Sequence, residues 1–291
     1  MKSIRLLWLL LRDTIEGFIA DDALSRGASI AYFTLFSIAP VLLVVVAIAG
    51  LAFGREAAEG AIVTQLSGLM GHGAAEALQA MIESAARPRD GVIASIVGVA
   101  VLIVATTGVF GEVQAAMNRI WKATPDRSAL SRLVRARLVS LGLVVTAGFL
   151  LMVSLAASAA LASLSSYLRS VFPVAELALQ ATDIVMSALL IVGLFAAMFK
   201  VLPDVEIAWR DVGIGALAST ILFEGGKYAI AFYIGQSNVA SSYGAASALI
   251  ILLVWIYYSA QIFLLGAEFT RVFAHRHGSH ASNMTATETE S

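Results

Sequence analysis

The 291-residue chain contains no cysteine and few charged residues, and both shortages exclude classes of protein. Without cysteine it can form no disulfide, no thiolate metal site and no cysteine nucleophile. Only 13% of its residues are charged, against roughly a quarter in a soluble domain, and 59% are hydrophobic. The apolar residues come in long blocks, which favours one membrane-embedded bundle over two soluble domains.

Histidine is also scarce. The four histidines are His72 in a loop and His275, His277 and His280 in the tail, so they cannot join one buried metal cluster. The sequence has no His-Glu-x-x-His motif, no Gly-x-Ser-x-Gly motif and no phosphate-binding loop. We therefore expect no enzyme activity, no metal site and no cofactor.

Six apolar stretches predict an all-α, polytopic membrane helical bundle. Each stretch is long enough to cross roughly 30 Å of hydrocarbon at about 1.5 Å per residue. The stretches lie at residues 28–53, 91–110, 138–163, 183–202, 211–234 and 244–268. Together they predict a six-helix transmembrane domain over residues 28–268.

Three segments outside these stretches have their own character. Residues 1–27 are predicted to form an amphipathic helix on the cytoplasmic membrane surface, because apolar residues recur there at helical spacing. These apolar residues are Ile4, Leu7, Trp8, Leu11, Ile15 and Phe18. The external loop 54–90 is predicted to form one or two short amphipathic helices above the outer mouth of the bundle. The tail 269–291 is rich in Ser, Thr and Glu toward its end and is expected to be largely disordered.

Lysine and arginine are distributed unevenly between the two sides of the predicted bundle. Of the 19 in the chain, fourteen lie on the side that includes both termini and four on the other side, while Lys227 lies within the fifth stretch. Because cytoplasmic loops are enriched in these residues, we expect both termini to face the cytoplasm.

The fifth stretch contains the residues that are most costly to bury in a membrane, Glu224 and Lys227. On insertion scales each such charge costs about 2.5 to 3.5 kcal/mol at the centre of a helix. Three residues apart, they share a helix face, and Ala216, Thr220, Glu224 and Tyr228 follow one another in steps of four. Two interpretations stay open: a substrate-binding or proton-relay site, or an ion pair that neutralises itself and holds helices together.

The sixth stretch offers further polar side chains. Gln261 is deep enough to need a hydrogen-bond partner, and Tyr257 precedes it by one turn. Glu268 lies near the cytoplasmic end, where an interfacial position explains it. On the fifth stretch, Gly225 and Gly226 would allow a neighbouring helix to approach closely.

The first stretch contains Tyr32, Thr34, Ser37 and Pro40. Pro40 lacks an amide hydrogen and clashes with the carbonyl four residues earlier, so it predicts a kink or hinge. The hydroxyls of Thr34 and Ser37 are candidates to satisfy the freed backbone groups. A kink that serves packing alone is the alternative.

The cytoplasmic loop 111–137 contains six basic residues, among them Arg132, Arg135 and Arg137. They serve either as the topology signal or as a surface for anionic lipid head groups, each worth about 1 kcal/mol near the membrane. Nucleic acid is not expected as a partner, because the aromatic residues that interleave with basic ones in single-strand binders are missing.

Three segments of the chain resemble the YihY/BrkB family of bacterial inner-membrane proteins. Residues 27–40, Gly-Ala-Ser-Ile-Ala-Tyr-Phe-Thr-Leu-Phe-Ser-Ile-Ala-Pro, are similar to its first-helix signature. Residues 118–121, Asn-Arg-Ile-Trp, resemble its second cytoplasmic motif, and residues 242–268 resemble its last helix. The resemblance covers roughly residues 15–275 and implies a multi-pass protein of the bacterial inner membrane.

The resemblance leaves the function open, and three hypotheses are considered. Our first hypothesis is transport or export of a lipid-like or amphiphilic envelope component through a polar seam of the first, fifth and sixth helices. Its candidate residues are Glu224, Lys227, Tyr228, Thr220, Gln261, Tyr257, Tyr32 and Ser37. The rival is a scaffold without a transported substrate. Third is the ribonuclease BN label of many members, which implies clustered metal ligands that this sequence lacks. Membrane lipids are the expected partners, and a homo-oligomer stays open.

Overall fold

The computed structural model describes residues 2–70, 72–86, 108–123, 175–236 and 247–279. All regular secondary structure in these ranges is helical, which confirms the predicted all-α class for this part of the chain. The predicted stretch at 138–163 lies outside the described residues, as do residues 91–107 and the basic residues Arg132, Arg135 and Arg137.

Eight helices are described, numbered here in chain order. They are α1 (Lys2–Ala20), α2 (Ala23–Phe53), α3 (Arg55–Met70), α4 (His72–Ala86), α5 (described over residues 108–120), α6 (Ala175–Val201), α7 (Trp209–Gln236) and α8 (Ser247–His277). By length and apolar composition, one described stretch could cross a membrane, Leu249–His277 within α8, and a shorter apolar stretch, Ser187–Val201, lies in α6.

Helix α8 continues past the predicted end of the sixth stretch at residue 268. It runs to His277, so the first nine residues of the segment expected to be a largely disordered tail are helical. Thr270, Val272 and Ala274 are buried in this extension. The helix persists because other elements pack on it, whereas residues 280–291 lie outside the described part of the chain.

Helix α1 packs antiparallel along this extension of α8. Arg276 forms an ion pair with Asp13, and one turn further along α1 the side chains of Glu268 and Arg271 lie against Gly17. The opposite face of α1 leaves large apolar side chains exposed, and Trp8 alone is 66% exposed. The exposed residues of this face are Leu7, Trp8, Leu11, Ile15 and Ile19, and Leu6 is exposed at the edge of the docked face. Helix α1 therefore has one face docked on protein and a second, apolar face available to a membrane.

The loop 54–90 contains two short helices, α3 and α4, in agreement with the prediction of one or two. Their apolar residues Ile62, Leu78 and Ile82 are buried. They join a cluster that includes Val45 of α2 and Leu252 of α8. These helices are thereby anchored to the bundle by burial of their apolar faces.

Helices α7 and α8 form a closely packed antiparallel pair. At three levels a glycine of one helix faces a side chain of the other, so a methyl group in place of its hydrogen would lie within 2 Å of that side chain. These pairs are Gly215 with Thr270, Gly266 with Ser219, and Gly226 with Tyr258. The hydroxyls of Ser219 and Thr270 donate to carbonyls of their own helices, at 2.8 and 2.6 Å. Small residues at four-residue spacing thus allow the backbones to approach.

Candidate functional sites

The predicted pair Glu224 and Lys227 forms an ion pair at the middle of α7. Lys227 Nζ lies 2.7 Å from Glu224 Oε2, and the side chains are 18% and 34% exposed, respectively. Helix α7 has 28 residues and is therefore about 42 Å long, with Glu224 near its midpoint. Both ions belong to one helix. The pair is therefore partly accessible from the side of the bundle and joins no two described helices.

The polar stripe through α7 does not stay on one face. Ala216 and Thr220 are buried, and the Thr220 hydroxyl donates to the Ala216 carbonyl at 2.8 Å, whereas Tyr228 is 75% exposed. At 3.6 residues per turn, each step of four residues advances about 40° around the axis, or about 120° over three steps. The stripe consequently begins in the helix interface and ends on the outer surface, with Glu224 between the two.

The surface beside the ion pair is apolar. Five large side chains of α7 project outward there, namely Leu217, Ile221, Leu222, Tyr228 and Phe232. Gly225 lies among them, and in the described part of the chain nothing stands within 4 Å of the position that a methyl group would occupy there. The arrangement places two opposite charges at the edge of an open apolar face.

Helix α8 contributes a different tyrosine from the one predicted. Tyr258 lies against Gly226, the residue that precedes Lys227 in α7. Tyr257 instead packs with the apolar cluster of α2 and α4. Gln261 also faces away from α7. Its Nε2 donates to the Leu24 carbonyl of α2 at 3.3 Å. The predicted seam is therefore divided, with Glu224 and Lys227 beside α7 and Gln261 between α2 and α8.

In α2 the predicted polar residues are engaged locally. The buried Ser37 hydroxyl contacts the carbonyls of Phe33 at 2.9 Å and Thr34 at 3.3 Å, and Thr34 donates to the Ile30 carbonyl at 2.7 Å. Because Pro40 has no amide hydrogen, the Phe36 carbonyl loses its usual helical partner. Neither the Ser37 hydroxyl nor the Thr34 hydroxyl bonds to this carbonyl. The helix is continuous through Pro40. Tyr32 is exposed and contacts the rings of Phe33 and Phe36, with centroids 5.7 and 5.0 Å away.

A second charged cluster, which the sequence did not single out, lies where α1, α2, α5 and α8 meet. Asp21, in the break between α1 and α2, has a side chain only 3% exposed, and its Oδ1 contacts Lys122 Nζ and lies 3.7 Å from Arg119 Nε. The side chain of Glu268 is fully buried, and its Oε2 accepts bonds from Arg271 Nη2 at 2.8 Å and Nε at 3.1 Å. Asp21 follows Gly17 by one turn, with its amide bonded to the Gly17 carbonyl at 2.9 Å, and Glu268 Oε2 packs against that same Gly17, so the two buried carboxyl groups lie at the same end of α1.

The local backbone builds this cluster. Asp22 and Lys122 both have left-handed backbone conformations, with φ of 57° and 51°. Asp22 lies in the turn after α1, and Lys122 lies in the turn after α5. At Gly17 a methyl group would lie 2.7 Å from both Arg271 Nη2 and Glu268 Oε2, so a side chain there would collide with the ion pair. The available sequence signals were the acidic pair before the first apolar stretch and Glu-x-x-Arg at the end of the last one.

The segment at residues 118–121 is tied into the same end of the bundle. Asn118 exchanges two hydrogen bonds with Asp204, both 2.8 Å long, through its Nδ2 and Oδ1. Ile120 and Trp121 are buried.

Near the end of α8, Asp211 accepts hydrogen bonds from the Ser279 amide at 2.9 Å and from the Ser279 hydroxyl at 2.7 Å. In the part of the chain that the structure describes, no three His, Asp or Glu residues are grouped to hold a metal ion.

Comparison with known proteins gives a consistent family assignment. A family model described as virulence factor BrkB matches residues 14–290. A UPF0761 membrane protein of Alcanivorax borkumensis is 28% identical over 273 residues, which make up 93% of this chain and 61% of that protein. A UPF0761 membrane protein of Legionella pneumophila is 30% identical over 272 residues, 92% of this chain and 62% of that protein.

A UPF0761 membrane protein of Psychromonas ingrahamii is 32% identical over 260 residues, which make up 86% of this chain and 82% of that protein. The chain spans about three fifths of the length of the Alcanivorax and Legionella proteins. No solved structure matches the chain.

Proposed function

The chain belongs to the virulence factor BrkB family of membrane proteins, and from that premise we propose that it transports a lipid-like or amphiphilic component of the bacterial envelope. In this proposal the protein crosses the inner membrane several times, with both termini in the cytoplasm. It has no catalytic role and uses no cofactor. Its substrates come from the membrane lipids that surround it.

The ion pair of Glu224 and Lys227 is the observation that carries the proposal. An ionised residue at mid-membrane depth is costly unless a partner, water or a substrate compensates it. Here each ion has one described partner, on its own helix, and both are reachable from the side. A pair that served only to hold helices together would bridge two helices. In the described residues the glycine contacts between α7 and α8 have that role instead.

The surroundings suit a molecule with an anionic head and apolar chains. A phosphate or carboxylate head group could replace Glu224 at Lys227, so that the ammonium group is never left without an anion. The chains would lie along the apolar face that includes Ile221 and Phe232. Tyr228, on the same face, offers a hydroxyl to the head group.

The alternative is a scaffold in which the exposed face of α7 meets a second copy of the chain. An apolar surface of this kind suits a subunit interface as well as lipid. In that case Glu224 and Lys227 would exchange partners across the interface, and their removal would change the oligomeric state. A nuclease is the third and least supported function.

The test compares two double variants of the whole protein in lipid vesicles that contain fluorescent phosphatidylglycerol. Glu224→Gln with Lys227→Met removes both charges of the site, whereas Arg12→Gln with Glu16→Gln removes the exposed ion pair of α1 as a matched control. We expect the first variant to insert and remain as stable as the wild type but to lose at least tenfold in lipid movement between leaflets. The control should keep wild-type transport.

Three outcomes separate the alternatives. Full transport by a stable variant without Glu224 and Lys227 would overturn the proposal. A change from oligomer to monomer, with no transport by either protein, would support the scaffold. Loss of folding when one charge is removed, with recovery when both are removed, would show a structural ion pair.

A further inference from the structure

The buried carboxyl groups of Asp21 and Glu268 each use one oxygen to bind a cation. The Oδ1 atom of Asp21 contacts Lys122, and the Oε2 atom of Glu268 accepts two hydrogen bonds from Arg271. The two remaining oxygens, Asp21 Oδ2 and Glu268 Oε1, are also buried. Neither has a hydrogen-bond donor among the residues that the structure describes.

Two ionised carboxylates cannot satisfy each other, because both are acceptors. They also repel each other at short range, and these two are close neighbours, because Glu268 packs against Gly17 and Asp21 follows Gly17 by one turn of α1. A single proton removes both problems, since it makes one carboxyl a donor and leaves the other its acceptor. We propose that Asp21 and Glu268 share one proton and form a proton-binding site between the α1–α2 junction and α8.

The other charged groups around the pair set the balance. Three cations surround the pair, namely Arg119 of α5, Lys122 just after α5 and Arg271 of α8, and each favours the ionised form of the carboxyl group that it approaches. Lys122 contacts Asp21 Oδ1 directly and Arg119 lies 3.7 Å from it, but their side chains are 59% and 49% exposed, so solvent and salt partly screen their influence. Arg26 of α2 donates from Nε to the backbone carbonyl of Asp21 at 3.3 Å and does not contact the carboxylate.

Two further groups complete the surroundings. Helix α1 presents the uncharged Gly17 to the pair. The imidazole Nδ1 of His275 is 2.9 Å from the Arg271 carbonyl, so this ring contacts the backbone behind the arginine. The side chain of Arg271 is 20% exposed, and it is bound to Glu268 Oε2. Burial and mutual repulsion of the two carboxylates favour the shared proton.

The position of the pair gives the proton a structural consequence. Asp21 lies in the break between α1 and α2, whereas Glu268 belongs to α8, so loss of the proton would drive these elements apart. Lys122 leads from Asp21 to solvent and provides a route of exchange. Use of this site to couple proton movement to transport rests on the proposed function, but proton binding itself does not.

Infrared difference spectroscopy of the whole protein in lipid nanodiscs tests the site directly. The signal is the carbonyl stretch of a protonated carboxylic acid, followed from acid to alkaline pH. We expect one such carboxyl per chain to persist at neutral pH in the wild type, and to disappear in both Asp21→Asn and Glu268→Gln. Glu16→Gln, which changes an exposed carboxylate of α1, is the control and should leave the signal unchanged.

Glu268→Gln keeps the test informative if Asp21→Asn fails to fold. Its amide group can donate to Asp21 Oδ2 in place of the proton, so this variant should fold and retain the thermal stability of the wild type. A neutral-pH carboxyl signal that survives Glu268→Gln, or its absence from the wild type, would overturn the proposal. So would loss of the wild-type signal on addition of Na⁺ or Ca²⁺ at constant pH, which would identify a cation site instead. No transport measurement enters this test, so its failure is distinct from failure of the proposed function.

Discussion

Replacement of Gly215 by alanine should separate α7 from α8. The added methyl carbon would lie 1.8 Å from Thr270 Oγ1, 2.8 Å from Thr270 Cβ and 2.9 Å from Thr270 Cγ2. Rotation of the Thr270 side chain can move its hydroxyl but not its Cβ atom, which is fixed to the backbone of α8. The clash can therefore be relieved only by movement of the helices, and forced overpacking of this kind costs about 1 to 3 kcal/mol.

Gly213 provides the matched control, because it is two residues away in the same helix. Among the residues that the structure describes, no atom lies within 4 Å of the position of an added methyl group there. Alanine is favoured over glycine inside a helix by roughly 0.5 to 1 kcal/mol, and both variants receive this gain. The Gly213→Ala protein should thus be as stable as the wild type or slightly more stable. The Gly215→Ala protein should be less stable than the control by about 1 to 3 kcal/mol.

The assay is thermal unfolding of the purified proteins in one detergent, followed by tryptophan fluorescence at one heating rate, because membrane proteins often unfold irreversibly. The second substitution Thr270→Gly removes the opposing side chain, and in the Gly215→Ala background it should restore part of the lost stability. Equal apparent Tm values for Gly215→Ala and Gly213→Ala would refute the close packing of α7 against α8.

Three further predictions concern topology, catalysis and the docking of α1. Reporter fusions after Ala80 and after Ala240 should both report the outside of the membrane, and a cytoplasmic signal from either would contradict the six-helix topology. Purified protein free of soluble ribonucleases should not degrade RNA with added Zn²⁺ or Mn²⁺, and cleavage abolished by a point substitution in this chain would prove the opposite. Gly17→Ala should push against the side-chain ends of Arg271 and Glu268 and lower the apparent Tm relative to Gly60→Ala, whose added methyl group meets no described atom within 4 Å; equal apparent Tm values would argue against the docked α1.

Long apolar runs predicted the helices well, because a helix in an apolar setting must satisfy its own backbone. The predicted stretches at 28–53, 183–202, 211–234 and 244–268 each fall almost entirely within one observed helix. The predicted end of the last helix, at residue 268, was wrong because hydropathy shows only where the apolar residues stop. The helix instead continues for as long as α1 packs on it, and that contact joins segments about 260 residues apart in the chain.

Burial of Asp21 could not be predicted from its neighbours in the sequence. The residue lies in a break between helices, and local patterns favour an exposed aspartate there. Its carboxylate is buried because Lys122 contacts it and Glu268 packs one turn away against Gly17, and these two residues come from distant parts of the chain. A pattern that spans three segments has no local period, so periodicity could not have revealed it.

The two acid–base pairs of α7 and α8 show how far spacing alone can lead. Glu224 with Lys227 and Glu268 with Arg271 have the same three-residue separation, so the same rule predicts an ion pair within one helix in both cases, and both form. Their surroundings nevertheless differ. The first lies beside an open apolar face, whereas the second is enclosed by α1 and the Asp21 carboxyl. Spacing determines which charges meet on a helix, but the neighbouring helices determine whether an outside molecule or only a proton can reach them. For that reason a lipid head group is the ligand that we propose for Glu224 and Lys227, and a shared proton is the ligand that we propose for Asp21 and Glu268.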